Sequence, residues 1–430
     1  MTPPRPLRLG LAGLGTVGLG VVRILRRHAA EIEARAGRPV VLAAVGARDR
    51  GRDRGVPLDG YAWEGDPERL AAREDVDLLV EVIGGQDGPA LAAVRAALAA
   101  GRDVVTANKA MLAHHGRELA EAAEAADRSL RFEAAVAGGI PAVKALTEGL
   151  AGNEITRVMG VMNGTCNYIL TRMEGAGLPY EAVFEEAREL GYLEADPTLD
   201  VGGIDAAHKL SLLAAIAFGV APSMAAIEIE GIDRVAIEDI RHAADLGYRI
   251  KLLGVAEITG RGLEQRMSPC LVPRQSPPGS LEGASNMVIL EGDSVGQIVL
   301  TGAGAGAGPT ASAVMADVID IARGTRMPSF GRPAAALGEA VAAPASSPAA
   351  HYLRLDLLDR PGVLAKVAAA LGEAGISIDR MRQTRHEGPS APVLIVTHRA
   401  APAMVREALN AARGAGVLAG EPLALRIEAV

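Results

Sequence analysis

Leu7 to Leu11 reads as a short apolar strand, and it runs directly into Gly13-Leu14-Gly15-Thr16-Val17-Gly18. An apolar stretch of helical character, Leu19 to Leu25, follows. This is G-x-G-x-x-G after a strand and opening a helix, the context in which the pattern predicts a dinucleotide site. The first glycine permits the tight turn, the second lets a pyrophosphate approach the backbone, and the third lets helix and strand pack closely. The anion then rests on unpaired N–H groups at the helix N-terminus.

Up to about residue 140, short apolar strands alternate with helical segments. Strands are predicted at Val40–Val45, Leu78–Ile83 and Asp103–Thr106, with extended chain at Leu130–Ala135. Helices are predicted at Pro89–Ala100 and Met111–Ala126. Such alternation predicts right-handed βαβ units and a parallel sheet, with ligands outside the carboxyl ends of the strands. The Gly13 loop, Gly84-Gly85 and Asn108-Lys109 all fall at such ends.

From 141 to 330 the character changes to an α+β substrate and oligomerisation domain. Its helices include Ala142–Ala151 and Tyr180–Leu190, and its strands Lys251–Ile258 and Met287–Leu290. Within it, residues 302–325 carry a second glycine-rich helix start, with Pro309-Thr310 ahead of the helix Ala311–Ala322, which returns to the dinucleotide-binding domain. Residues 331–349, rich in Ala, Pro and Ser, read as a linker. Residues 350–430 form a βαββαβ pattern, the ferredoxin-like arrangement, with Asp359-Arg360-Pro361-Gly362 turning into its first helix.

Composition narrows the function. A length of 430 residues, 49% apolar, fits a globular chain of two or three domains. The net charge of −8 argues against nonspecific nucleic-acid binding. Two distant cysteines, Cys166 and Cys270, exclude a disulfide framework and suit a reducing cytoplasm. No apolar run is long enough to span a bilayer, and the start predicts no secretory leader.

The densest polar cluster runs from Gly191 through Glu194, Asp196 and Asp200 into a helix beginning near Asp205. Asp205 and Lys209 are spaced i,i+4 with the acid first, so they share a face. On a solvated surface such a pair contributes only about 0.3–0.5 kcal/mol. The neighbours Ile204, Leu210, Leu212 and Leu213 argue instead for a buried helix, where charges are paired or functional. A lysine held by a carboxylate stays protonated at neutral pH and can donate to a developing alkoxide. The loop acids can receive the ammonium of an amino-acid substrate, or act as turn residues. Lys109, in Thr106-Ala107-Asn108-Lys109, sits at a strand's carboxyl end, where a nicotinamide would lie. Cys166, in Asn163-Gly164-Thr165-Cys166-Asn167-Tyr168, has no histidine nearby in sequence and reads as a packed small residue.

These motifs, in this order, closely resemble homoserine dehydrogenases. The matching stretches are GLGTVG, TANK at 106–109, Glu133–Pro141, NGTCNYIL at 163–170, GYLEADPTLDVGGIDAAHKL at 191–210 and GAGAGAGPTASAV at 302–314. The last eighty residues look like an ACT domain. The resemblance implies NADPH- or NADH-dependent reduction of L-aspartate 4-semialdehyde to L-homoserine, without a catalytic metal. It makes Lys209 the proton donor, Asp205 its orienting partner, and Lys109 a neighbour of cofactor and substrate. It places Glu194 on the substrate's amino group with Gly191 beside it, and Leu14, Thr16, Val17 and Gly304 on the cofactor. It puts a structural monovalent cation such as Na+ at Glu133 and the carbonyls of Val136, Gly138 and Ile140. It also implies a homodimer or homotetramer, and an ACT unit that takes threonine as a feedback inhibitor at the Asp359–Gly362 turn.

Arg48, where the second strand ends, is placed to hold a 2′-phosphate, with Arg50 and Arg52 nearby, so NADP is the expected cofactor. The adjacent Asp49 keeps NAD open. Two rivals stand beside this reading. One is an acylating semialdehyde dehydrogenase with Cys166 as nucleophile. The other is a non-catalytic nucleotide and amino-acid sensor.

Overall fold

The computed structural model describes residues 4–193, 196–383 and 388–430. The first unit is a six-stranded sheet of β1 (Leu7–Ala12), β2 (Val40–Gly46), β3 (Ala62–Trp63), β4 (Leu78–Glu81), β5 (Asp103–Thr106) and β6 (Leu130–Arg131). The order is 3-2-1-4-5-6 and every pairing is parallel. That is the doubly wound dinucleotide-binding order, with its crevice where strand order reverses, between β1 and β4. Both faces are covered, which is why the strands read as apolar runs rather than alternating ones. On one face, Leu9 and Leu11 pack with Val21, Val22, Val314 and Val318. On the other, Ala12 and Leu79 pack with Leu91, Val94 and Leu112.

The second sheet has ten strands and joins the rest of the chain. It contains β7 (Ile155–Val161), β8 (Glu228–Ile229), β9 (Tyr248–Thr259), β10 (Gly262–Pro273), β11 (Ser285–Gly292) and β12 (Gly296–Ala303). It continues through β13 (Ala350–Leu358), β14 (Ile378–Gln383), β15 (Ser390–Thr397) and β16 (Leu423–Ile427). These last four lie in the order 16-13-15-14, as the ferredoxin-like pattern requires. The C-terminal unit is not a bead on a string: β16 pairs in parallel with β10, Cys270 facing Arg426.

Several local expectations are corrected. Leu130–Ala135 is not one extended segment, because the strand stops at Arg131 and Glu133–Ala137 is helical. Its string of apolar residues fits either period. The predicted helix Ala142–Ala151 is one short α-turn, Ala142–Lys144, followed by a π-turn, Ala145–Gly149. The helix predicted from Ala311 begins at Ala307, so Pro309 sits in its first turn, where a missing N–H costs nothing. Residues 331–349 are strapped down: Ala334 N–H donates to the Glu124 carboxylate, Gly338 N–H to the Gly219 carbonyl and Ala343 N–H to the Leu263 carbonyl.

Candidate active site

The Gly13–Gly18 turn divides its work among three glycines. Gly13 has φ of +109°, and a Cβ there would lie 2.6 Å from the Val82 carbonyl oxygen. A Cβ on Gly18 would overlap the Gly13 carbonyl. Gly15 has nothing within 4 Å of its Cβ position, so the space above it is open to a ligand. Gly13, Leu14 and Gly15 line a cleft of about 880 Å³ with Arg48, Asp49, Arg52 and Arg54. Arg50 instead lies over the Trp63 ring, 5.9 Å from its centroid. A nicotinamide dinucleotide fits a cleft with this open glycine turn and these arginines.

At Val82, Ile83 and Gly84 this cleft meets a second cavity of about 650 Å³. Thr16, Val17, Lys109, Val136, Gly138, Gly191, Asp200, Asp205, Lys209 and Gly304 all line it. Asp205 joins two lysines: Oδ2 accepts from Lys209 Nζ at 2.7 Å, and Oδ1 lies 2.9 Å from Lys109 Nζ. Lys209 is 8% exposed, so this is no surface pair. Its Nζ also donates to the Met162 carbonyl at 2.7 Å. An ammonium has three protons, so one remains for a ligand. Burial alone would raise the Asp205 pKa. The positive charges of Lys209 and Lys109 outweigh it and hold the carboxyl far below the usual carboxylate range. Neighbouring His208 is pushed down to about 4 by burial and stays neutral at pH 7.

Asp200 is buried and accepts from Asn163 Nδ2 at 3.0 Å. Asn163 in turn caps the helix Gly164–Ala176 through its Oδ1 and the Cys166 N–H. Cys166 is fully buried, and burial raises its thiol pKa well above the ordinary value. It therefore lacks the exposed thiolate that the acylating rival needs. Glu194 lies outside the described residues.

Glu133 and Ile140 lie behind the cavity wall, both buried. The Glu133 carboxylate accepts from the Val143 and Lys144 N–H groups at 2.9 and 2.8 Å. Burial, then the charge of Asp317, push its pKa up to about 7.

Sequence reasoning missed Glu81, Asn163 and Lys251. Glu81 is wholly buried at the end of β4, accepting from the Ile83 and Gly84 N–H groups and the Thr106 hydroxyl. It thereby shapes the crevice turn, and an acid inside an apolar central strand was its signal. Lys251 donates to Asn167 Oδ1 at 2.7 Å and to the Leu281 carbonyl, under the 281–286 segment whose Ala284 and Asn286 line the cavity.

Family profiles match three segments: "Homoserine dehydrogenase, NAD binding domain" at residues 13–133, "Homoserine dehydrogenase" at 141–319 and "ACT domain" at 351–416. The homoserine dehydrogenase of Neisseria gonorrhoeae is 41% identical over 415 residues, 95% of each chain. The chain belongs to the homoserine dehydrogenase family. Members are NAD(P)-dependent oxidoreductases, and the family's Pseudomonas aeruginosa enzyme is 41% identical over 99% of each chain. The crystal structure of a homoserine dehydrogenase from Thiobacillus denitrificans superposes with a TM-score of 0.94 at 40% identity, covering 100% of this chain and 99% of that one. A nicotinamide cofactor follows from the matched NAD-binding domain.

Proposed function

We propose that this chain reduces L-aspartate 4-semialdehyde to L-homoserine, with Lys209 as proton donor. The observation that carries the reading is Asp205 held between Lys109 and Lys209 in the wall of the cavity that adjoins the glycine-turn cleft. The bound cofactor supplies the hydride. The chain does the rest: Asp205 fixes both ammonium groups, and the remaining proton of Lys209 is available to the aldehyde oxygen. Hydride arrival puts negative charge on that oxygen, and a pre-placed cation answers it without reorganisation. The oxygen takes the proton, Lys209 is left neutral, and solvent restores it. Asp200 and Glu194 are assigned to the substrate's amino group, and Gly191 and Gly304 to the nicotinamide end. The division of labour is dinucleotide binding by 1–140, substrate binding by 141–330 and regulation by 350–430, joined by 331–349.

NADP is the proposed cofactor, because Arg48, Arg52 and Arg54 line the cleft at its adenosine end. A mutant of a hyperthermophilic archaeal homoserine dehydrogenase, 26% identical and covering 75% of this chain, has a solved structure in complex with NADPH. A Na+ ion at Glu133, Val136, Gly138 and Ile140 is proposed as structural. Its support is a buried carboxylate, Glu133, on the same short helical turn as Val136 and next to Gly138, both of which line the cavity. L-Threonine is the proposed feedback inhibitor, acting through the ACT unit of a homodimer or homotetramer. Purified protein with aspartate semialdehyde and NADPH tests the central claim. Failure to oxidise NADPH, with the nucleotide shown to bind, would favour the sensor reading.

A further inference from the structure

A wholly buried carboxylate, Glu81 at the end of β4, lies directly behind Ile83 and Gly84, which line both cavities. Burying a charge is costly unless its lone pairs are met. Each group that meets Glu81 among the described residues is a donor. Oε1 accepts from the Ile83 and Gly84 N–H groups at 2.7 and 3.1 Å, and Oε2 accepts from the Thr106 hydroxyl. Burial pushes the Glu81 pKa up, and these bonds pull the other way. Thr106, equally buried, has then spent its proton, so its oxygen can only accept. It does so from the Asn108 N–H at 3.0 Å. Asn108 is the cap of the helix Lys109–Ala125. Its Oδ1 accepts from the Met111 N–H at 3.1 Å, and its Nδ2 donates to the Gly85 carbonyl at 2.8 Å. Two ties therefore join the turn after β4 to the helix start after β5: Glu81 to Thr106, and Gly85 to Asn108. Lys109 is the first residue of that helix, and its Nζ reaches Asp205 at 2.9 Å.

We infer that Glu81 is a positioning residue for the reaction: through Thr106 and Asn108 it sets the first turn of the helix that carries Lys109, and so where the Lys109 ammonium meets Asp205. The inference rests on the reductase reading, in which Asp205 holds Lys109 and Lys209 together. Direction is what the carboxylate supplies. A neutral amide in its place could still accept from the Ile83 and Gly84 N–H groups, and the turn would close. Its NH2 would face Thr106, however, and leave the hydroxyl proton without an acceptor in a buried place. Hydrogen bonds in series away from water polarise one another, so a reversal at Thr106 is felt at Asn108. The lysine side chain is long and flexible, and its ammonium is aimed only as well as the helix start beneath it is fixed.

The test is a double-mutant cycle on the full chain, with NADPH oxidation by aspartate semialdehyde measured in the parent and in a Lys109→Met background. Single-turnover conditions bring the slower background into range. In the parent, Glu81→Gln and Thr106→Val each lower the rate about tenfold, since a misplacement of about 1 Å costs up to about 10²-fold. KM for NADPH stays within about threefold, because the turn itself is kept. Thr106→Ser, which keeps the hydroxyl, brings the rate back to within about threefold of the parent. In the Lys109→Met background, Glu81→Gln and Thr106→Val change the rate by less than about twofold, because nothing is left for them to aim. A repeat of the full loss in that background, or a parent rate in folded Thr106→Val, overturns the inference while the reductase reading stands. If Glu81→Gln fails to fold, the two Thr106 variants decide alone. A parent chain without reductase activity overturns the reading and the inference together.

Discussion

Replacing Lys209 with methionine keeps the length of the side chain and removes its charge and its proton. The structure sets the size of the effect. Two of the three ammonium protons are spent on Asp205 and the Met162 carbonyl, both at 2.7 Å, so the third is the one a substrate oxygen meets. Loss of one pre-organised donor to a developing oxyanion costs about 2.7–4 kcal/mol. Loss of a general acid costs about 10²–10⁴ in rate. The two effects overlap in one proton, so a kcat reduced about 10³-fold is expected, or about 4 kcal/mol at ~1.4 kcal/mol per decade. The fold survives, because Asp205 keeps Lys109 at 2.9 Å and is not left as an orphaned charge. The Met162 carbonyl loses its donor, at a cost of about 1–3 kcal/mol, read as a lower melting temperature. KM for aspartate semialdehyde stays within a few fold, because the interaction removed is made mainly in the transition state. Steady-state NADPH oxidation with a parallel thermal melt measures both. A folded variant with more than about a tenth of the parent kcat would refute the reasoning.

Cys166→Ala retains near-normal kcat, and native Cys166 resists alkylation until the chain is unfolded; a dead but folded variant would revive the acylating mechanism. Arg48→Ala shifts the ratio of kcat/KM for NADPH over NADH downward by about tenfold, the size of one lost surface charge-assisted contact, and an unchanged ratio removes Arg48 from cofactor choice. Burial, then the charge of Arg249, push Lys251 down to about 8, against about 10.4 in the unfolded chain. Between those values only the unfolded chain holds the proton, so stability from this group rises with pH, by up to about 3 kcal/mol. Denaturant midpoints at about pH 7 and about pH 10 show this rise in the parent and not in Lys251→Met; parallel behaviour of the two chains contradicts it. Asp239, wholly buried, receives Arg354 at 2.7 Å and Tyr352 at 3.0 Å from the C-terminal unit. Asp239→Ala removes the nearer of two carboxylates from Arg354, leaving Asp356 at 3.4 Å, so a loss of about 1–3 kcal/mol is expected in chemical denaturation.

What could be read from the sequence is what acts locally. The three glycines of the first turn do their work within six residues, and the i,i+4 spacing of Asp205 and Lys209 is a property of one helix. The Lys109–Asp205 contact joins residues that no periodicity relates, so its two ends could be suspected separately but not paired. Asn163 is one polar residue of a short motif in the sequence, and its capping role and its grip on Asp200 appear only when the chain is folded. Residues 331–349 lack any pattern of their own, and their order comes from hydrogen bonds to Glu124, Gly219 and Leu263. The missed strands β10 and β12 are defined by their neighbours in the sheet, as strands generally are.

The parallel pairing of β16 with β10 has a consequence for biogenesis. On the ribosome, the Cys270–Leu271 part of the β10 edge stays uncovered until residue 427 has been made, more than 150 residues after the strand itself emerges. Arg266 likewise waits for Glu428, its partner at 2.7 Å. A nascent chain stalled or cut between the two would present an open stretch of strand edge and a cation short of its nearest counter-ion, with only Glu257 and Glu264 at 3.5 and 3.8 Å, the hazards that draw chaperones and proteases. Quality control of this polypeptide is thus set by its final strand.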